Sequence, residues 1–496
     1  MTTWLRHITA LLLLTATTAS TAPLIELGPC PSEIGIAGAE CGTLEVFENR
    51  DTNTGRKIAL NIAVLPAFSH NPEPDPLFAF AGGPGVGSTE LADMANSAMR
   101  RIREKRDIVL VDQRGTGKSN PLNCEIIDPD AALFVADSEQ LALDRLRQCL
   151  DDFDADVRLY TTPIAMDDID DVRQALDYER INLWGGSYGT RAALIYMRRH
   201  PQHVRAVILD GLAPTAIALP LNLGIDAQRA LDLLQEACAA DAACKEAFGD
   251  IGAKFDAVLT RLESGPVWTH IEHPRTGESI EVPVNRFAVA AVVRGSLYSA
   301  EQSAVLPLVI ERAYQGDFGP LAALSEPFAK IEEKMSAGLL YSVLCSEDVT
   351  RTAPEDRPTM PDSFFGPFAL DLFDKVCAFW PRGELPAAYY EPVATDHSTL
   401  VLSGNLDPVT PPRWGEETSR HLKNARHIVV PGVGHGATHY GCVPRLMAEF
   451  IDTGHADNLD VSCVEELRRP PFFHSFIGPQ SAATKTSISE AAHDSD

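Results

Sequence analysis

The sequence predicts an α/β protein in which a mostly parallel sheet is covered by helices and carries an inserted, mainly helical cap. Three observations lead there. Short apolar, β-branched runs end in glycine-rich or polar turns at Lys57–Leu65, Pro76–Phe80, Asp107–Val111, Ile181–Trp184, Val204–Leu209, Thr399–Leu402 and His427–Val430. Helical spacing fills the intervals between many of these runs, the pattern of strands joined by crossover helices. The strand rhythm then lapses from about residue 216 to residue 394, where Ala227, Leu231, Leu234 and Cys238 recur on one helical face that reads as plain core packing.

In chain order, residues 1–22 read as an export signal. A basic start with Arg6 precedes the apolar stretch ITALLLL, and small residues suit cleavage near Ala19 or Ala22. The apolar stretch is shorter than the roughly 20 residues of a membrane span, and no second one follows. Stable membrane insertion is therefore not expected, and the protein is expected in a periplasm or in the medium. Residues 23–215 form the first segment of the sheet-bearing core, 216–394 the cap, 395–475 the second segment of the core, and 476–496 a small, polar, disordered tail. A chain of 496 residues calls for two packing units, because single cores stop growing at roughly 250–300 residues. The formal net charge of −27 excludes nucleic acid as a partner, since such binding rests on Lys and Arg neutralising phosphates.

All ten cysteines (Cys30, Cys41, Cys124, Cys149, Cys238, Cys244, Cys345, Cys377, Cys442 and Cys463) lie beyond the signal, and export carries them into an oxidising compartment. Their number does not fix a connectivity. Taken as successive neighbours they close five short loops, and that pairing is the expectation. No C-x-x-C spacing supports a zinc site.

The run Ile181-Asn-Leu-Trp-Gly-Gly-Ser-Tyr-Gly-Thr leads from a buried-type strand through Gly185-Gly-Ser-Tyr-Gly189 into a helical stretch from Thr190 to His200. This is the context of a nucleophile elbow, which lifts a serine hydroxyl on a tight turn between small residues. Ser187 is the candidate nucleophile. A serine needs a base, and the base needs an acid that fixes its tautomer. The strand at Thr399–Leu402 passes into a turn with Asp407-Pro-Val-Thr-Pro-Pro, and the strand at His427–Val430 into Pro-Gly-Val-Gly-His435-Gly. Both turns follow the carboxyl ends of strands, where ligands bind in such sheets. Asp407 and His435 thus complete a triad whose order, Ser then Asp then His, is that of the α/β-hydrolase fold. Of the 14 histidines, His397 precedes a strand and His427 begins one, while His439 lacks the glutamate of an H-E-x-x-H metal pair. Backbone N–H groups for an oxyanion hole are expected from Gly83, helped by Gly82, in Ala81-Gly-Gly-Pro-Gly, and from Tyr188.

Two patterns mislead. Arg114-Gly-Thr-Gly-Lys-Ser119 resembles the end of a phosphate loop, but Asp112 stands where its first glycine is required. The acids Asp167, Asp168, Asp170 and Asp171 lack an EF-hand glycine and are expected at the start of a helix.

Together, Gly82-Gly-Pro-Gly, Asp112-Gln-Arg-Gly-Thr-Gly-Lys-Ser, Gly185-Gly-Ser-Tyr-Gly and the Asp407 and His435 segments resemble the prolyl aminopeptidase family of serine peptidases over most of the catalytic region. Cys442, Cys463, Asp-Pro-Val-Thr-Pro-Pro and the export signal make the chain more similar to the exported tripeptidyl aminopeptidase branch than to cytoplasmic proline iminopeptidases. The resemblance implies a serine aminopeptidase that acts on peptides with free amino termini and uses no metal or organic cofactor. It also implies cap acids that hold the substrate ammonium. Glu347 and Asp348 are the candidates, with a solvated turn as the other reading. Ala81 stands where proline iminopeptidases have histidine, so a proline preference does not carry over. Two other readings use the same residues: an esterase with this triad, and a binding protein on an inactive hydrolase scaffold.

Overall fold

A computed structural model of the chain describes residues 25–32, 35, 38–124, 126, 139–272, 277–324, 334–351, 363–366 and 368–479. The export signal and positions 480–496 of the expected tail lie outside the described residues. The strands are β1 (Gly28–Pro29), β2 (Glu40–Phe47), β3 (Lys57–Leu65), β4 (Leu77–Phe80), β5 (Ile108–Val111), β6 (Ile181–Gly186), β7 (Val204–Asp210), β8 (Val267–Glu272), β9 (Ser279–Val284), β10 (Ser398–Gly404) and β11 (Ala425–Val430). Nine of them form one sheet in the order β1-β2-β3-β5-β4-β6-β7-β10-β11. Pairing is antiparallel from β1 to β5 and parallel from β5 through to β11. This is the α/β-hydrolase architecture, with a mostly parallel sheet covered by helices.

Parallel strands are buried on both faces, which is why their sequences read as unbroken apolar runs. Alternate residues serve opposite cores. Leu183, Val207 and Val401 point into one, whereas Trp184, Ile208 and Leu402 point into the other. The strand β2, next to the two-residue edge strand β1, behaves differently. It pairs with β3 along its whole length, Glu40 opposite Val64 through Phe47 opposite Lys57, yet buries only Leu44 and Val46. Its polar outward residues hide it from a search for apolar runs.

Helices α1 (Thr162–Ala175) and α2 (Tyr188–Arg199) flank β6. Between β7 and β10 the chain leaves the sheet for α3 (Leu219–Ala240), α4 (Ile251–Glu263), the β8–β9 hairpin, α5 (Arg286–Ser296), α6 (Ala337–Glu347) and α7 (Phe368–Cys377). Leu231, Phe255, Val284 and Val293 close a separate apolar core there, joined by Phe472 from the returning carboxyl-terminal segment. The hairpin is a strand pair that helical periodicity did not announce. No helix among the described residues is long and apolar enough to cross a membrane.

The two misleading patterns resolve as structure. Asp112 accepts hydrogen bonds from the N–H groups of Thr89 and Lys118 and from Asn61 Nδ2, so the loop's donors close on a buried carboxylate rather than on a phosphate. The four acids are not at a helix start, as α1 begins at Thr162 and has no acid in its first turn. They pair with cations instead: Asp167 with Arg199, Asp168 with Arg114 and Arg50, Asp170 with Arg173, and Asp171 with Arg50.

The ten cysteines form Cys30–Cys41, Cys124–Cys149, Cys238–Cys244, Cys345–Cys377 and Cys442–Cys463. Cys345 and Cys377 are buried and lock α6 to α7 across a separation of 32 residues. Replacing both by alanine is expected to lower stability by about 3–4 kcal/mol through the freed loop, read as a lower denaturation midpoint of the oxidised protein.

Candidate active site

The nucleophile turn is built by crowding. A Cβ on Gly189 would lie 2.1 Å from the Phe80 carbonyl oxygen, and one on Gly185 would lie 2.3 Å from that of Gly189. Only hydrogen fits at either position, so the chain turns sharply from β6 into α2. Ser187 takes φ 55° and ψ −125° at that bend, a region that costs a non-glycine residue about 1–3 kcal/mol. The strain lifts the side chain out of the strand direction at the carboxyl end of the sheet.

Asp407 follows β10 and is fully buried. Its carboxylate accepts from the N–H groups of Val409 and Thr410, each at 2.8 Å, and from Thr410 Oγ1 at 2.9 Å. Its remaining partner is the base: His435 Nδ1–H donates to Asp407 Oδ2 at 2.8 Å. Burial works against the Asp407 anion, but the His435 charge and these donors hold its carboxyl below the usual range. Burial likewise works against the imidazolium, and the adjacent Asp407 carboxylate wins, leaving His435 a stronger base than a free imidazole.

Ser187 and His435 are both placed against the end of β7. The Ser187 N–H donates to the Asp210 carbonyl at 2.9 Å, and a Cβ on the next residue, Gly211, would lie 3.2 Å from His435 Cε1. The imidazole therefore sits over the strand end to which the nucleophile's backbone is tied. A Cβ on Gly82 would be 3.0 Å from Ser187 Cβ, which brings the early glycine turn to the same place. Gly83 adopts φ 114°, open to glycine alone. Tyr188 is the first residue of α2, where N–H groups lack intrahelical acceptors. Of the expected oxyanion donors, Tyr188 adjoins the serine in the chain and Gly82 lies against its side chain, with Gly83 one residue further along the turn.

Sequence reasoning missed Tyr298, just past the end of α5. Its carbonyl accepts the His435 N–H at 2.8 Å, and its ring stands edge-to-face on the imidazole with centroids 5.0 Å apart. A lone tyrosine in a helical stretch carries no local mark of such a contact. His427 lies inside β11 rather than at its start, bonded to Ser403 Oγ at 3.0 Å.

Glu347 and Asp348 are not a solvated turn, and they are not free acids facing a substrate. Both are fully buried. Arg191, one turn beyond the nucleophile, grips Asp348 with two hydrogen bonds of 2.8 and 3.0 Å and reaches Glu347 at 3.3 Å. Glu347 also accepts from the Thr162 N–H and hydroxyl at 2.8 and 2.9 Å, and from Tyr389. Tyr188 OH lies 2.7 Å from Thr162 Oγ1, which connects the network to the residue beside Ser187. Burial raises the Glu347 carboxyl above its usual range despite Arg191. A substrate ammonium would have to displace a guanidinium already in place.

A family model described as alpha/beta hydrolase fold matches residues 75–244, and one described as TAP-like protein matches residues 362–463. Serine protease Hip1 of Mycobacterium tuberculosis is 25% identical over 478 residues, covering 88% of this chain and 91% of that protein. Tripeptidyl aminopeptidase of Streptomyces lividans is 22% identical over 415 residues, covering 79% and 76%. The crystal structure of proline iminopeptidase from Mycobacterium smegmatis aligns over 83% of this chain and 98% of that one, at 14% identity and a TM-score of 0.40.

Two outcomes follow from the geometry. With His435 as a base that works in its neutral form and has its pKa raised by Asp407, the expected outcome is that kcat/KM falls with decreasing pH through a midpoint above 6.5; Asp407→Asn should cut kcat by about 10⁴-fold in the same pH–rate measurement. Arg191→Leu leaves two buried carboxylates uncompensated and should destabilise the fold by about 3–5 kcal/mol, seen by urea denaturation.

Proposed function

Since the chain is an α/β-hydrolase with a TAP-like match in its carboxyl-terminal region, we propose that it is an exported serine aminopeptidase releasing residues or short peptides from free amino termini. The observation that carries this reading is the Asp407–His435 pair set against the strand end that anchors Ser187. His435 takes the Ser187 proton as Oγ attacks the scissile carbonyl, and the N–H groups of Gly83 and Tyr188 receive the negative charge that forms on its oxygen. The imidazolium gives that proton to the leaving amine as the C–N bond breaks. Water, deprotonated by His435, then attacks the acyl-enzyme, and the imidazolium returns that proton to Ser187 Oγ as the ester bond breaks and the amino-terminal fragment leaves.

Peptide substrates are supported by the relatives named serine protease, tripeptidyl aminopeptidase and proline iminopeptidase. Export is supported by the signal-like first residues and by five disulfides. Glu347 and Asp348 are committed to Arg191, so these acids do not carry the selection for a free amino terminus.

The test is hydrolysis of tripeptide amides with free and with acetylated amino termini by wild type and Ser187→Ala. Wild type should cleave the free form at least about tenfold faster, the alanine variant should lose about 10⁶-fold in kcat, and a fluorophosphonate should label only wild type. Equal cleavage of acetylated peptides, or faster turnover of simple esters with no cleavage of amides, would overturn the aminopeptidase reading.

A further inference from the structure

Asp210 ends β7 beside β6, opposite Gly186 in register, and is buried at 2% exposure. Its two functional groups face different partners. The main-chain carbonyl accepts the Ser187 N–H at 2.9 Å. The side-chain carboxylate reaches the loop just past the base, where it accepts the Ala437 N–H at 2.8 Å, the Thr438 N–H at 2.8 Å and the Thr438 hydroxyl at 2.6 Å. One residue therefore holds the backbone of the nucleophile and the backbone that carries His435.

The hydrogens around Asp210 favour its anion against the effect of burial. The two N–H groups can only donate. Trp184 Nε1 donates to Thr438 Oγ1 at 3.1 Å, and that hydroxyl has Asp210 Oδ2 at 2.6 Å and the weaker acceptor Met447 Sδ at 3.6 Å. Neither N–H group offers a lone pair to a protonated carboxyl, and with the Thr438 hydroxyl they make three donors converging on one carboxylate, a set that suits the anion. Burial lifts the Asp210 carboxyl above its usual range, while the Ala437 and Thr438 donors and the nearby His435 pull it back. The charged groups acting on His435 are then Asp407 from the β10 loop, Asp210 from β7 and Arg294 from α5, the first two favouring the imidazolium and the third opposing it.

We propose that Asp210 is a positioning residue of the catalytic centre: it clamps the His435 loop to the strand end that carries Ser187, and its negative charge sustains the basicity of His435. This rests on the triad reading above. Asp407 orients the ring itself, whereas Asp210 sets where the loop stands relative to the hydroxyl. The assignment makes a separable demand, because position and charge leave different traces in kinetics.

The experiment measures the rate of fluorophosphonate labelling of Ser187 against pH, which needs the nucleophile and base but no knowledge of the natural substrate. Asp210→Asn should label about tenfold or more slowly, and the midpoint of its acid limb should move to lower pH, because one of two negative charges beside the imidazole is gone. Thr438→Val keeps that charge but removes one clamp hydrogen bond, so it should label more slowly with an unmoved midpoint. Folded Asp210→Asn that labels at the wild-type rate with the wild-type midpoint overturns the proposal. If Asp210→Asn fails to fold, Thr438→Val decides: a wild-type labelling rate overturns the clamp. Wild type that does not label at all sinks the triad reading and this inference with it, whereas labelling with no peptide cleavage removes only the aminopeptidase reading.

Discussion

At residue 189 the Phe80 carbonyl oxygen leaves room for a hydrogen and for nothing larger, and much of the site depends on that contact. The close approach bends β6 into α2 within a single residue, and the bend forces Ser187 into its positive-φ conformation. β4, β6, β7, β10 and β11 are parallel neighbours, so the turns that follow them open at one edge of the sheet. The glycine turn after β4, the serine after β6, the acid after β10 and the base after β11 are thereby gathered without any of them being near another in sequence.

The second constraint is electrostatic. Arg191 projects from the nucleophile helix into the carboxyl end of α6, where it meets Glu347 and Asp348 with no solvent to screen any of the three. A buried ion group of this kind contributes little net stability compared with apolar packing, yet losing one member is expensive. Its effect is to fix where α6 lies relative to α2. From the other side, the Tyr298 carbonyl and ring hold His435. The helical excursion is thus attached to the sheet behind the serine and against the histidine, and also through Asp226, which pairs with Arg413.

Much of this was legible in the sequence because it is local. The parallel strands lie within a few residues of their apolar runs, since burial on both faces leaves no polar alternation to blur them. The elbow, the Asp407 turn and the His435 turn each announce themselves by a strand followed by glycine or proline. Other features were not legible, for the opposite reason. β2 is half-exposed, and its pairing is written in β3 rather than in its own composition. Glu347 and Asp348 drew attention as acids beside a cysteine, but their role is set by an arginine more than 150 residues earlier in the chain. The run from Asp167 to Asp171 looked like a helix start because charge spacing is visible in a sequence and the matching cations are not. Tyr298 and Asp210 are ordinary residues at element ends, and only the fold brings them to the imidazole.

The disulfides span separations of 11, 25, 6, 32 and 21 residues, and none ties the helical excursion to the sheet. Each can therefore close within its own stretch of chain, without waiting for distant partners. The disulfides staple segments, while the mutual seating of the two halves is left to noncovalent contacts: the Arg191 cluster, the Tyr298 contact and an apolar cluster in which Leu122 and Leu146 pack with Leu339 and Val343. A reducing environment would loosen each half internally before it could separate the two, whereas loss of the Arg191 cluster would act directly on the joint.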